Sequence, residues 1–197
     1  MDGIKQEPET GEIKMDDIKL LSKEPQKIIV LDDDEDMLEI FKQLFTNIPN
    51  VDVKFFNYPN EDFKSLICKE KIDLFILDII IGSLKTGISI GEEIISNNRG
   101  SLFLFVSGYD YSFTSLDHLQ GKCVYDFLHK PITKSEFLIR VATLLNIASS
   151  YKHSFKNTRI KPRELDNLRQ RYMNLIKQDQ KLIKDLKEVP LSTSIKC

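Results

Sequence analysis

The chain is poor in cysteine and has no long apolar run, and each shortage narrows what it can be. Its three cysteines, Cys68, Cys123 and Cys197, are odd in number and far apart. They form neither a metal-ligand spacing nor a disulfide framework, so a reducing, cytoplasmic setting is expected. No apolar stretch approaches the length needed to span a bilayer. The start, Met1-Asp2-Gly3, is acidic and lacks the basic and apolar regions of a secretory signal. No glycine-rich loop ending in Lys-Ser/Thr is present to cradle phosphates. His118, His129 and His153 lie in no phosphodonor pattern and read as surface or structural.

What is present fits a soluble globular protein. The 197 residues, 41% hydrophobic and 29% charged, have room for one domain plus appendages. The small net charge of -2 hides an asymmetry, because residues 151–197 carry 12 Lys/Arg against 5 Asp/Glu and the rest is acidic. A basic tail on an acidic body can contact nucleic acid, a membrane surface or the body itself, or can simply be a solvated helix.

Residues 1–25 are polar and read as a flexible lead-in. From Gln26 onward the pattern is regular. Lys27-Ile28-Ile29-Val30-Leu31 predicts a strand that stops at Asp32-Asp33-Asp34. A helix follows, with Met37, Leu38, Phe41, Leu44, Phe45 and Ile48 on one side, Asp34 as N-cap and Pro49 as its close. Val51–Phe56 alternates as a second strand, and Pro59–Lys69 reads as a helix. The run Ile72–Gly82 is apolar except for Asp73 and Asp78, and predicts a third strand buried on both faces. After a Gly82–Gly87 loop come a helix over Ile88–Asn97 and a fourth strand, Leu102–Val106, ending at Ser107-Gly108. A weak helix around Tyr111–Leu119 leads to a fifth strand, Cys123–Leu128, ending at His129-Lys130-Pro131. Thr133 and Glu136 form a capping-box pattern opening a helix to about Ser150. Five strands alternating with five helices predict an α/β domain over 26–150, a five-stranded parallel sheet with helices on both faces.

One edge of that sheet collects Asp32, Asp33, Asp78, Ser107 and Lys130. An unpaired carboxylate at the end of a buried strand is costly. Three carboxylates together repel unless a cation sits among them. Hard oxygen donors without Cys or His favour Mg²⁺. Lys130 adds a fixed positive charge and Ser107 a hydroxyl, a set suited to holding a phosphoryl group with Asp78 as nucleophile. The blander alternatives are a helix-capping acid cluster for Asp32-Asp33-Asp34 and an ordinary turn at Ser107-Gly108.

Four segments in order, Val30-Leu31-Asp32-Asp33-Asp34, Leu74-Phe75-Ile76-Leu77-Asp78-Ile79, Val106-Ser107-Gly108 and Phe127-Leu128-His129-Lys130-Pro131, together resemble the receiver domain of two-component response regulators. The resemblance implies a flavodoxin-like (βα)5 fold. It also implies Asp78 as phosphoacceptor, and Asp32, Asp33, Asp78 and the backbone carbonyl of Ile80 as Mg²⁺ ligands. Lys130 would contact the phosphoryl group, Ser107 and Phe127 would act as switch residues, and Pro131 would follow a cis bond. Ile80 and Tyr109 would flank the phosphoryl group and set its lifetime. A sensor histidine kinase or phosphotransfer protein would be the donor, and self-phosphorylation and dephosphorylation the only catalysis. Departures are Gly82 where a proline is usual and a slightly longer loop to Gly87.

Beyond this domain, 151–161 reads as a linker. From Pro162, Leu165, Leu168, Tyr172, Leu175, Asp179, Leu182, Leu186 and Val189 recur at alternating spacings of three and four, which predicts a helix over 162–190. A coiled coil giving a homodimer, an antiparallel pair and a helix docked on the domain all fit. Residues 191–197 should be loose. The tail lacks the further helices of a helix-turn-helix, so DNA binding by its basic residues ranks behind protein contacts. An aspartyl phosphatase is disfavoured because Asp32-Asp33-Asp34-Glu35-Asp36 has an acid where such enzymes carry Thr or Val.

Overall fold

A computed structural model describes residues 24–46, 48–82, 85–97, 102–108, 119, 122–157, 167, 170, 171, 173, 174, 176 and 177. Chain order gives β1 (Gln26–Leu31), α1 (Glu35–Phe45), β2 (Val51–Phe56), α2 (Glu61–Lys69), β3 (Leu74–Asp78), β4 (Ile80–Ile81), β5 (Lys85–Thr86), α3 (Gly87–Asn97), β6 (Leu102–Ser107), β7 (Val124–His129) and α4 (Lys134–Asn157). The main sheet has five strands in the order β2-β1-β3-β6-β7, and every pairing in it is parallel. This is the expected α/β sheet.

Burial follows position in the sheet. Central β3 and β6 are buried at every residue, as parallel strands covered on both faces must be. Edge strand β2 alternates, with Asp52 and Lys54 exposed. On one face, Phe75 of β3 stacks on Phe103 of β6 at 5.4 Å, and Phe103 on Phe105 of the same strand at 5.8 Å. On the other, Phe41 and Phe45 of α1 meet Phe137 of α4 at 5.7 and 5.2 Å. Each fully buried phenylalanine contributes roughly 1.5–3 kcal/mol by leaving water. These two aromatic layers clamp the sheet.

The helix starts are locally encoded. Asp34 caps α1, its Oδ1 accepting from the amides of Asp36 and Met37. Asn60 caps α2 through the amide of Phe63. Thr133 caps α4 through the amide of Glu136, while the Glu136 carboxylate accepts from Arg140.

Three expectations need correction. The Gly82–Gly87 segment is not a plain loop: Ile80 and Ile81 pair antiparallel with Thr86 and Lys85, and a ladder this short leaves no periodicity to read. Helix α3 starts at Gly87, where Thr86 and Ser89 exchange backbone and side-chain hydrogen bonds. Helix α4 continues past Ser150 to Asn157, into the stretch read as a linker. No breaker interrupts it there, and Lys152 reaches back to buried Asp73 at 2.7 Å. The helix expected at 111–119 lies outside the described residues except for buried Leu119. The heptad positions from Leu165 to Val189 lie outside them too.

Gly87 is where α3 approaches β3 most closely. A Cβ there would lie 1.9 Å from the Asp78 carbonyl oxygen, and the Gly87 amide donates to Ile79 O at 2.9 Å. Neither backbone segment can move aside cheaply. Gly87→Ala is therefore expected to destabilise the domain by ~3 kcal/mol, seen as a lower urea midpoint at unchanged slope. A midpoint equal to the parent's would disprove the close approach.

Candidate functional site: an acidic cluster bridged by a lysine

The parallel sheet ends all its strands on one edge, and the register brings their terminal residues together. Asp78 is the last residue of β3 and pairs with Val106 of β6. Ser107 ends β6 opposite His129 of β7. Asp32 and Asp33 follow β1, the neighbour of β3. Lys130 follows β7, its amide donating to Ser107 O at 2.8 Å, and the Lys130–Pro131 peptide is cis.

Asp32, Asp33 and Asp78 each offer a carboxylate oxygen, and these lie within 4.8 Å of one another. Asp32 and Asp78 are buried and Asp33 is exposed. Lys130 Nζ stands 2.9 Å from both Asp32 Oδ2 and Asp78 Oδ1. Backbone amides engage the other oxygens. Asp34 N–H donates to Asp32 Oδ1 at 3.0 Å, Ile80 N–H to Asp78 Oδ2 at 3.0 Å, and Gly82 N–H to Asp33 Oδ2 at 2.9 Å. Ile80 is 39% exposed beside the Asp78 carboxylate, Ser107 is buried, and half-buried Phe127 faces the His129 ring at 6.0 Å. Tyr109 lies outside the described residues.

Of the expected residues, the structure brings together Asp32, Asp33, Asp78 and Lys130, while Ser107 and Phe127 stand on the adjoining strands β6 and β7. The three amide donors escape sequence reading, because every residue carries one and only the fold aims it. The lysine's double engagement escapes it as well. A lysine in a sequence does not reveal how many partners it has.

The electrostatics of the cluster are unbalanced. Burial raises the Asp78 carboxyl above its ordinary value; the hydrogen bond from Lys130 opposes this and the Asp32 charge adds to it. Burial likewise raises Asp32 against the pull of Lys130. For Lys130, burial works against the charge, but its hydrogen bonds and the charges of Asp32 and Asp78 outweigh it, so the ammonium is held more firmly than usual. One lysine against three carboxylates leaves an excess of negative charge. Oxygen donors alone, two buried and one open to water, fit a small hard cation such as Mg²⁺, which keeps several waters. No Cys or His belongs to the cluster.

Both buried carboxyls hold protons more tightly folded than unfolded. Their contribution to stability is therefore fully present below the ordinary carboxyl value of 3.8 and is lost as pH rises through the raised folded values. In chelator, Asp32→Asn is expected to flatten that decline in a urea-unfolding series run upward from pH 3.8. An unchanged slope would mean that Asp32 is not held above its ordinary value.

Comparison with known proteins agrees with this edge. A family model described as the response regulator receiver domain matches residues 28–142. No curated protein matches the chain. Among solved structures, the signal receiver domain of an HD domain-containing protein from Pseudomonas fluorescens Pf-5 shares 18% identity over 69% of this chain and 97% of its own, with TM-score 0.56. A CheY-like receiver domain protein from Methanospirillum hungatei JF-1 shares 20% over 64% and 98%, with TM-score 0.55. The BeF3-activated receiver domain of DrrB, a Thermotoga maritima protein, shares 21% over 61% and 97%, with TM-score 0.51. Identities this low carry the fold. The family match spans more than half of the chain and runs from within β1 to the first third of α4, with every residue of the acidic cluster and its lysine inside it, so the chain belongs to the response regulator receiver domain family.

Proposed function

We propose that the chain is a phosphorylation-switched response regulator that accepts a phosphoryl group on Asp78. The observation that carries this reading is the Lys130 ammonium held 2.9 Å from Asp78 within a three-carboxylate cluster. A sensor histidine kinase or phosphotransfer protein is the expected donor. The Asp78 carboxylate attacks the phosphorus of the donor, a new P–O bond forms, and the old bond to the donor breaks with its electron pair leaving on the donor atom. The product is an acyl phosphate. Such a transfer needs in-line positioning and neutralisation of the transferred oxygens more than covalent help.

Asp32, Asp33, Asp78 and the Ile80 carbonyl would hold Mg²⁺, which supplies positive charge to the phosphoryl oxygens when bound. Lys130 exchanges a carboxylate partner for a phosphoryl oxygen, and the Ser107 hydroxyl donates to another. The added charge, about -1.5 to -2, draws both toward Asp78. The inward shift of Ser107 frees volume for Phe127, so the β7 face changes shape and its protein contacts with it. Ile80 and Tyr109 crowd the approach of water, which implies slow hydrolysis. No chemistry beyond self-phosphorylation and dephosphorylation is assigned. No helix among the described residues is long and apolar enough to cross a membrane.

Incubation with acetyl phosphate and Mg²⁺ should add one phosphoryl group to the parent by intact mass and none to Asp78→Ala or to the parent in chelator. Uptake by Asp78→Ala would discard Asp78 as the acceptor. Following the same mass signal over time, Ile80→Asn should shorten the phosphorylated half-life by roughly tenfold, or about 1.4 kcal/mol of barrier. A parent half-life of only seconds would refute the shielding role of Ile80.

A further inference from the structure

β7 closes the sheet on one side, so alternate amides along it point away from any neighbouring strand. Two of these have unusual partners. Tyr125 N–H donates to Met173 Sδ at 3.4 Å, and Phe127 N–H donates to the side chain of Asp126 at 2.7 Å. Met173 belongs to the C-terminal tail, 48 residues on in the chain. It is 2% exposed and Ile176 is 1% exposed. Asn167, Gln170, Arg171, Asn174 and Lys177, on the same helical stretch, are exposed. Burial at i and i+3 with polar residues outward is the pattern of a helix docked by one face. Of the arrangements that the sequence leaves open, this favours docking on the domain.

The residue next to Tyr125, Asp126, anchors a buried ionic network to α4. Asp126, Glu136 and Arg140 are all buried. Arg140 Nη1 bonds both Asp126 oxygens at 2.8 and 2.9 Å and Nη2 bonds Glu136 at 2.9 Å, while Nε is buried without a partner among the described residues. A thioether is a weak acceptor, so the Tyr125 amide gives up little if Met173 leaves. The same strand carries Phe127 and leads into Lys130, whose side chain bridges Asp32 and Asp78. The tail is also strongly basic where the rest of the chain is acidic, and Lys152 already pairs with Asp73.

We infer that the β7 edge is an intramolecular docking surface whose occupant is the tail helix around Met173 and Ile176, and that phosphorylation of Asp78 releases it. The second half rests on the function proposed above. A phosphoryl group pulls Lys130 and Ser107 inward at one end of β7. The strand and Phe127 follow, and the contact that yields is the weak N–H···S bond two residues away. Release uncovers the Met173–Ile176 stripe and the strand edge together.

Hydrogen–deuterium exchange on the full chain tests both halves. In the resting parent, peptides spanning 122–128 and 167–177 should be protected. Met173→Asp with Ile176→Asp should raise exchange in both by about tenfold, while acetyl phosphate and Mg²⁺ still add one phosphoryl group. Unchanged exchange at 122–128 in that variant would overturn the docking. Should the variant misfold, the parent alone decides: Mg²⁺ with beryllofluoride should raise exchange at 167–177 by a similar factor. Unchanged exchange there, with acetyl phosphate still loading Asp78, would overturn the release and leave the proposed function standing. No loading of the parent at all would remove the proposed function, and the release with it.

Discussion

The Lys130 ammonium between the Asp32 and Asp78 carboxylates is the interaction on which the rest of this structure depends. It joins the ends of β1, β3 and the segment after β7 at 2.9 Å each, across a sheet in which β6 separates β3 from β7. Two buried carboxylates at neighbouring strand ends would otherwise repel in a medium of low polarity. The lysine makes their approach tolerable without completing it, since burial still raises both carboxyls. A site left electrostatically short of positive charge is one that binds a cation and then a phosphoryl oxygen readily. The same shortage that weakens the fold locally is what suits the edge to the chemistry proposed for it.

The opposite edge is built for the reverse purpose. Asp73, at the start of β3, is as buried as the site acids, but its oxygen accepts from the Lys27 amide at 3.0 Å and from Lys152 at 2.7 Å. Gln26 anchors the beginning of β1 to Leu145 O of α4 at 2.7 Å. These polar groups fix strand starts to helices. Strand starts are thus tied to α4 and to each other, while the strand ends gather the acidic cluster and its lysine.

How much of this could be read from the sequence depended on range. Strands β1, β3 and β6 announced themselves through dense β-branched and aromatic runs, and the Asp34 cap through its position before acidic helix residues. The cluster acids and Lys130 were legible because each ends a strand, and parallel topology gathers strand ends. Features set by distant partners were not legible. Tyr151–Asn157 looks polar enough for a linker, and only the pairing of Lys152 with Asp73 shows why it stays helical. The β4–β5 pair is two residues per strand, too short to leave a period. The heptad positions Leu168 and Leu175 lie outside the described residues, and the tail side chains described as buried are Met173 and Ile176.

The extension of α4 to Asn157 has a consequence for the reach of the tail. Only 15 residues lie between Asn157 and Met173, and the helix before that stretch is fixed to the domain through Lys152. A segment so tethered meets its docking surface at an effective concentration of order millimolar, whatever the concentration of the protein. Even contacts as weak as the N–H···S bond between Tyr125 and Met173 then help to keep the surface covered. If the tail docks as inferred, a partner arriving from solution has to outcompete that local concentration before it can take the β7 edge.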